Sequence, residues 1–101
     1  MGNLKNIENV RIDVSYTPKE MVFIFREGQD YAKSNRNDDA YTMNVMLGKK
    51  LYKENKHLSS ELETLVGHKI ENSDDFVAFS LTVQALVFQQ KMNEFNFGGI
   101  R

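Results

Sequence analysis

The chain has 101 residues, 13 of them basic and 14 acidic, with one Pro and neither Cys nor Trp. That is room for one domain over 1–101. It removes disulfides, thiolate metal sites and thiol nucleophiles, and it fits a reducing, cytoplasmic setting. A net charge of −1 gives no global field for nucleic acid or an anionic membrane, so neither is an expected partner.

The opening "MGNLKNIENVRID" shows no apolar h-region of a signal peptide. Gly2 follows Met1, but Asn6 stands where a myristoylation signal has Ser or Thr. Residues 1–8 and 97–101 are expected to be flexible ends. Val10, Ile12, Val14 and Tyr16 alternate with Arg11, Asp13 and Ser15, which predicts a strand over 9–16. A lone strand needs a pairing partner or must dock as an extended arm.

Two structures compete for "TPKEMVFIFREGQDYAKSN". As a helix over 18–34, Thr17 is the N-cap, Pro18 the first helical residue, and Glu20 completes a capping box. Met21, Ile24, Phe25, Gly28, Tyr31 and Ala32 then share a face. As a hairpin over 9–27, Thr17–Glu20 is the turn and "MVFIF" the returning strand. The start signal favours the helix.

"SNRNDD" is a loop, and Asn37 or Asp38 can cap a helix over 39–66. Leu51, Leu58 and Leu65 repeat every seven residues along one seam, with Leu47 and Leu62 beside it. "ENKH" predicts a break near Lys56, Ser60 with Glu63 a second capping box, and Gly67 the C-cap.

"SDDFVAFSLTVQALVFQQKMNEF" alternates over 79–85 like a strand, but its length and its start predict a helix over 74–95. Ser73 reads as the cap, and Asp74 and Asp75 lie at the positive end of the macrodipole. "NDDAYTMNV" and "SDDFVAFSL" look like one capping solution used twice, and "NFGGIR" should end the last helix. The expected fold is therefore mainly α, a bundle of about three helices with a short N-terminal strand or arm. The alternative is α+β, with the 9–27 hairpin on two long helices.

The last helix is apolar almost all round, with Phe76, Phe79, Val83, Leu86 and Val87 on one stripe and Val77, Leu81, Phe88, Met92 and Phe95 on another. Such a helix is stable only when covered all round. Either it is central in its own bundle, or a second copy or a partner covers the first stripe. The second case predicts a homo-oligomer, a dimer in the first instance, with those five residues at its interface.

Catalytic signals are few. Glu54 and His57 form half of the helical di-metal pattern, which needs a second copy and further carboxylates. His68 is expected on the terminal carbonyls of the preceding helix. Ser59, Ser60 and Ser73 read as caps, no Gly-x-Ser-x-Gly elbow occurs, and neighbouring carboxylates such as Asp38–Asp39 and Asp74–Asp75 diverge on a helix. No metal, cofactor or catalytic group is expected. Lys49, Lys50, Lys53 and Lys56, joined by Arg26 or Arg36, could hold an anionic ligand such as a nucleotide, though the Walker spacing is missing. Lysines opposite a Leu stripe are also what any solvated helix face carries. The sequence thus points to a non-enzymatic interaction module that self-associates through its last helix and shows a basic face to a partner protein. Its size and its Cys-free, Asn/Lys-rich composition fit a small bacterial or phage accessory protein.

Overall fold

A computed structural model describes the backbone of residues 17–100 and the side chains of 17–92. The strand expected over 9–16 lies outside the described residues. Among these, four helices follow one another: α1 (Pro18–Ser34), α2 (Asp39–Glu54), α3 (Lys56–Val66) and α4 (Ser73–Ile100).

The capping box decides the start of α1. The Glu20 N–H donates to Thr17 Oγ1 at 3.1 Å, and the Thr17 N–H donates to Glu20 Oε1 at 3.2 Å. Met21, Phe25, Gly28 and Ala32 are buried on one face, with Ile24 and Tyr31 half-buried beside them. "MVFIF" is helical, so the hairpin reading fails: two satisfied N-terminal donors outweigh the strand propensity of Val, Phe and Ile.

The 39–66 segment is two helices, which makes the count four. Asn55 breaks it, with non-helical φ −124° and ψ 57°. Its backbone N–H and its side-chain amide both donate to the Leu51 carbonyl, at 2.9 and 3.1 Å. Asn competes with the helix ladder in this way, and here it ends one helix and opens the next. The expected Ser60–Glu63 box is absent, because α3 starts one turn earlier and Glu63 points elsewhere. Leu51, Leu58 and Leu62 are buried, whereas Leu65 is 36% exposed, so the heptad seam stops with the break. Gly67 closes α3 in the left-handed region at φ 85°, its N–H bonded to Glu63 O.

At the start of α4 the cap is Asn72 and not Ser73. Asn72 Oδ1 accepts the Asp75 N–H at 2.8 Å. Asp38 caps α2 with no side-chain bond, so the two Asp-Asp starts do not share one solution. The helix runs through Gly98 and Gly99 to Ile100, further than the expected end near 95. Glycine is costly in a helix, by about 1 kcal/mol against Ala, but it does not forbid one.

The last helix is the central element. α1 and α2 both pack along it, while α3 joins α1 and α2. Two glycines allow the close approach. A Cβ on Gly28 would lie 2.9 Å from Ala78 Cα, and one on Gly48 would overlap the Phe76 carbonyl group. Val77, Ala78, Phe79, Val83 and Leu86 are fully buried, with Met21 and Phe25 from α1, Leu51 from α2 and Leu62 from α3. Ser80 and Thr82, which make α4 look like an alternating strand, are inside as well. Ser80 Oγ donates to Asn44 Oδ1 at 2.7 Å and Thr82 Oγ1 to the Ala78 carbonyl at 2.8 Å, so neither hydroxyl is left unsatisfied.

Candidate functional site

The stripe expected at an interface lies mostly in the core. Phe79, Val83 and Leu86 have no exposed surface, and Phe76 and Val87 are partly buried against the same cluster. Their cover is α1 and α2, a pairing that helix periodicity alone cannot choose over a second copy. Among the described side chains, the last buried one of α4 is Leu86. Beyond it Phe88 is 65% and Met92 42% exposed.

The basic residues are scattered. Lys49, Lys50 and Lys53 are exposed on α2, and Lys56 is exposed across the Asn55 break, at the start of α3. Lys49 Nζ sits 5.8 Å from the centre of the Phe76 ring, within cation–π range. Arg26 is exposed on α1. Arg36 is committed elsewhere, to an ion pair with Asp74 at 2.7 Å.

Glu54 and His57 fall on different helices, because Asn55 separates them, and both are exposed. One-turn spacing within a single helix is lost, and with it the half-pattern of a di-metal site. Among the described residues no group of three or more His, Asp or Glu is placed to hold a metal ion. His68 does not reach the carbonyls of α3; its Nδ1 lies 3.0 Å from Lys69 O and 3.8 Å from Asp75 Oδ2.

Two of the concave regions among the described residues border α4. The first is an open polar cleft of about 530 Å³ at the N-terminal end of α4. Lys33 and Gln29 of α1, Arg36 of the loop, Tyr41 of α2 and His68 of the connector surround Asp74 and Asp75. The two carboxylates diverge, as adjacent helical residues must. Asp74 accepts from Arg36 and, at 2.8 Å, from the Tyr41 hydroxyl. Asp75, 3% exposed, accepts from Gln29 Nε2 at 3.0 Å. The Arg36 hydrogen bond, then that of Tyr41, hold the Asp74 carboxyl below its ordinary range against burial. Hydrogen bonding to Asp74 in turn pushes the Tyr41 phenol up. This arrangement ties the 35–38 loop and α1 to the start of α4. It resembles a structural clasp more than acid–base machinery, since both carboxylates already accept hydrogen bonds from the chain.

The second is a groove of about 470 Å³ along α2, where Gln84 of α4 meets it. Ala40, Met43, Met46 and Leu47 supply its apolar wall, with Lys50 and Gln84 at the margin. Met43 and Met46 are 66% and 68% exposed. Asn44 fixes the junction by accepting from Ser80 and, at 3.0 Å, from Gln84 Nε2. In the sequence Met43 and Met46, with Met21, Phe23 and Phe25, read either as the lining of a ligand pocket or, more commonly, as core. Nothing there distinguished the Met pair from core, because the outward position depends on which face α4 takes.

A polar hub that sequence reasoning missed is Tyr52. Its ring meets Phe76 and Phe79 edge-on, with centroids 5.9 Å away in each case. Its hydroxyl donates to Glu63 Oε2 at 2.7 Å, and the same oxygen accepts the Ile70 N–H at 2.9 Å.

Comparison with models of known protein families, with curated proteins and with solved structures yields no match.

Proposed function

We propose that the protein is a non-enzymatic interaction module that self-associates through the outer part of its last helix. One observation carries this reading: beyond Leu86, the last buried residue of α4 among those described, Phe88 is 65% and Met92 42% exposed along the helix. Large apolar side chains exposed one turn apart on one helix favour a partner surface over water, each by about 1.5–3 kcal/mol if fully buried. The interface expected over Phe76–Val87 therefore moves outward along the same helix. The lysines of α2 are exposed and form the basic face that this reading offers a partner protein.

The test is native mass by light scattering over a concentration series. The expected result is a species of twice 11.7 kDa that dilutes to monomer, and a shift of that equilibrium toward monomer in Phe88→Ser. A mass of 11.7 kDa at every concentration removes self-association.

A second reading, a binder of a small anion such as a nucleotide at Lys49, Lys50, Lys53 and Lys56, is supported by the exposure of all four. A nucleotide at about 100 times its dissociation constant would stabilise the fold by roughly 2.7 kcal/mol. An unmoved melting temperature across adenine and guanine nucleotides removes this reading.

A further inference from the structure

We infer that Asn55 is the hinge of a domain exchange, in which two copies of this chain each straighten α2 and α3 into one helix and trade α3 and α4 between them. The inference goes beyond self-association through the outer end of α4 and does not rest on it, because exchange uses the contacts of the core.

The hinge is as short as a hinge can be: one residue separates Glu54 from Lys56. Short hinges invite exchange, since straightening relieves a tight bend. The local sequence suits a straight helix. Residues 49–66 contain neither Gly nor Pro, and Leu51, Leu58 and Leu65 keep a spacing of seven through the break, although Leu65 is 36% exposed in the bent form. Part of the helix ladder already crosses the hinge. The Asn55 N–H donates to the Leu51 carbonyl and the Ser59 N–H to the Asn55 carbonyl, each at 2.9 Å. α3 starts with no side-chain cap, so straightening would hand its first amides to the last carbonyls of α2. Against this stands the Asn55 side chain, which donates to the Leu51 carbonyl at 3.1 Å and favours the bend.

The core lies between the two halves of the chain. Met21, Phe25 and Leu51 come from α1 and α2, and Leu62, Phe79 and Leu86 from α3 and α4, all fully buried in one cluster. Opening the hinge in a single chain would expose that cluster to water. A second copy opened at the same residue offers the identical surface, so the contacts between the halves re-form between chains. Tyr52 and Glu63 illustrate this. In one straight helix they would stand about 16 Å apart along the axis, too far for their 2.7 Å bond. In the exchanged pair Tyr52 of one copy meets Glu63 of the other. The Asn44 bonds to Ser80 and Gln84, at 2.7 and 3.0 Å, pass between chains in the same way. The two forms then differ chiefly at the hinge, and their balance is set by residue 55 and by concentration.

The experiment uses the full chain, which has no Cys of its own. Asn44→Cys with Gln84→Cys places one thiol on each side of the α2–α4 junction, at two half-buried positions. Monomer and dimer are separated by size exclusion after incubation at high concentration. Each fraction is treated with a short bismaleimide and run on a denaturing gel. The expected result is a link within one chain in the monomer fraction, at 11.7 kDa, and a link between chains in the dimer fraction, at twice that mass. A dimer fraction linked only within chains overturns the exchange and leaves self-association through the outer end of α4 standing. A dimer linked between chains and unaffected by Phe88→Ser supports the exchange and removes only the outer-face reading. Asn55→Ala should raise the dimerisation constant about tenfold, since two hinges per dimer each replace Asn by the best helix former. Three residues, Gly-Ser-Gly, inserted after Asn55 should return the protein to monomer, because a longer loop closes without a tight bend. Dimer fractions that neither change moves overturn the hinge. A chain that stays monomeric at every concentration, with Asn55→Ala as well, overturns the inference.

Discussion

A methyl group added at Gly48 has nowhere to go, because its neighbour is the backbone of Phe76 and not a side chain that could swing aside. Alanine would gain about 1 kcal/mol of helix propensity. Overpacking against a fixed backbone costs about 1–3 kcal/mol and can exceed that. Gly48→Ala is therefore expected to lower the urea midpoint at unchanged m-value. Gly28→Ala should do so less, since its Cβ would lie 2.9 Å from Ala78 Cα, a conflict that a small helix shift relieves. A Gly48→Ala protein as stable as the parent would mean that α2 does not lie on α4 as described. Gly28 shows itself in the sequence on the apolar face of α1, but Gly48 gives no such sign. It sits next to two lysines, and its role depends on a crossing point with a helix 28 residues away.

Helix starts were the most legible elements, because capping is local chemistry written within four residues. Thr17, Pro18 and Glu20 are read correctly for that reason, and so is Gly67 at the end of α3. The signal fails where two candidate caps compete. Ser73 loses to Asn72 by one position, and the Ser60–Glu63 pair forms no box because the Asn55 break already starts α3 upstream. These two cases give opposite expectations. Thr17→Ala should destabilise by about 1 kcal/mol, with early loss of α1 amide protection in hydrogen exchange. Ser60→Ala should be neutral or slightly stabilising, because Ser60 is exposed inside α3 and alanine is the better helix former. A loss of 1 kcal/mol or more in Ser60→Ala would restore the capping box and move the start of α3.

At the scale of the whole molecule, the sequence shows that α4 must be covered but not by what. Coverage by its own α1 and α2 depends on long-range packing that no local pattern encodes, and this is why the expected interface stripe is mostly core. The polar clasps that lock the packing were equally hidden, since Arg36 and Tyr41 meet Asp74 across more than 30 residues and Tyr52 meets Glu63 across the helix break. They leave a pH signature. Asp74 is held below its ordinary range mainly by Arg36. Burial pushes Glu63 up, but the Ile70 N–H, the Tyr52 hydroxyl and nearby positive charge outweigh it, and its net displacement is also downward. A carboxyl lowered on folding binds fewer protons folded than unfolded. Its stabilisation is complete above the unfolded value, near pH 4, and is lost as pH falls through the folded value. Tyr41 and Tyr52 are raised, chiefly by hydrogen bonds to these same carboxylates. Their contribution is complete below the unfolded value, near pH 10, and is lost as pH rises through the folded one. Urea midpoints should thus hold a plateau between about pH 5 and pH 9 as far as these four groups are concerned, and fall on both sides. The double variant Tyr41→Phe, Tyr52→Phe isolates the contribution of these two hydroxyls. It should be less stable on the plateau by about 1–3 kcal/mol for two lost bonds to charged acceptors, and its alkaline fall should be shallower. Its acid fall should weaken too, because Asp74 and Glu63 each lose one donor that favours the ionised form. An alkaline limb identical in the parent and the double variant would show that the two hydroxyls do not bond these carboxylates in solution.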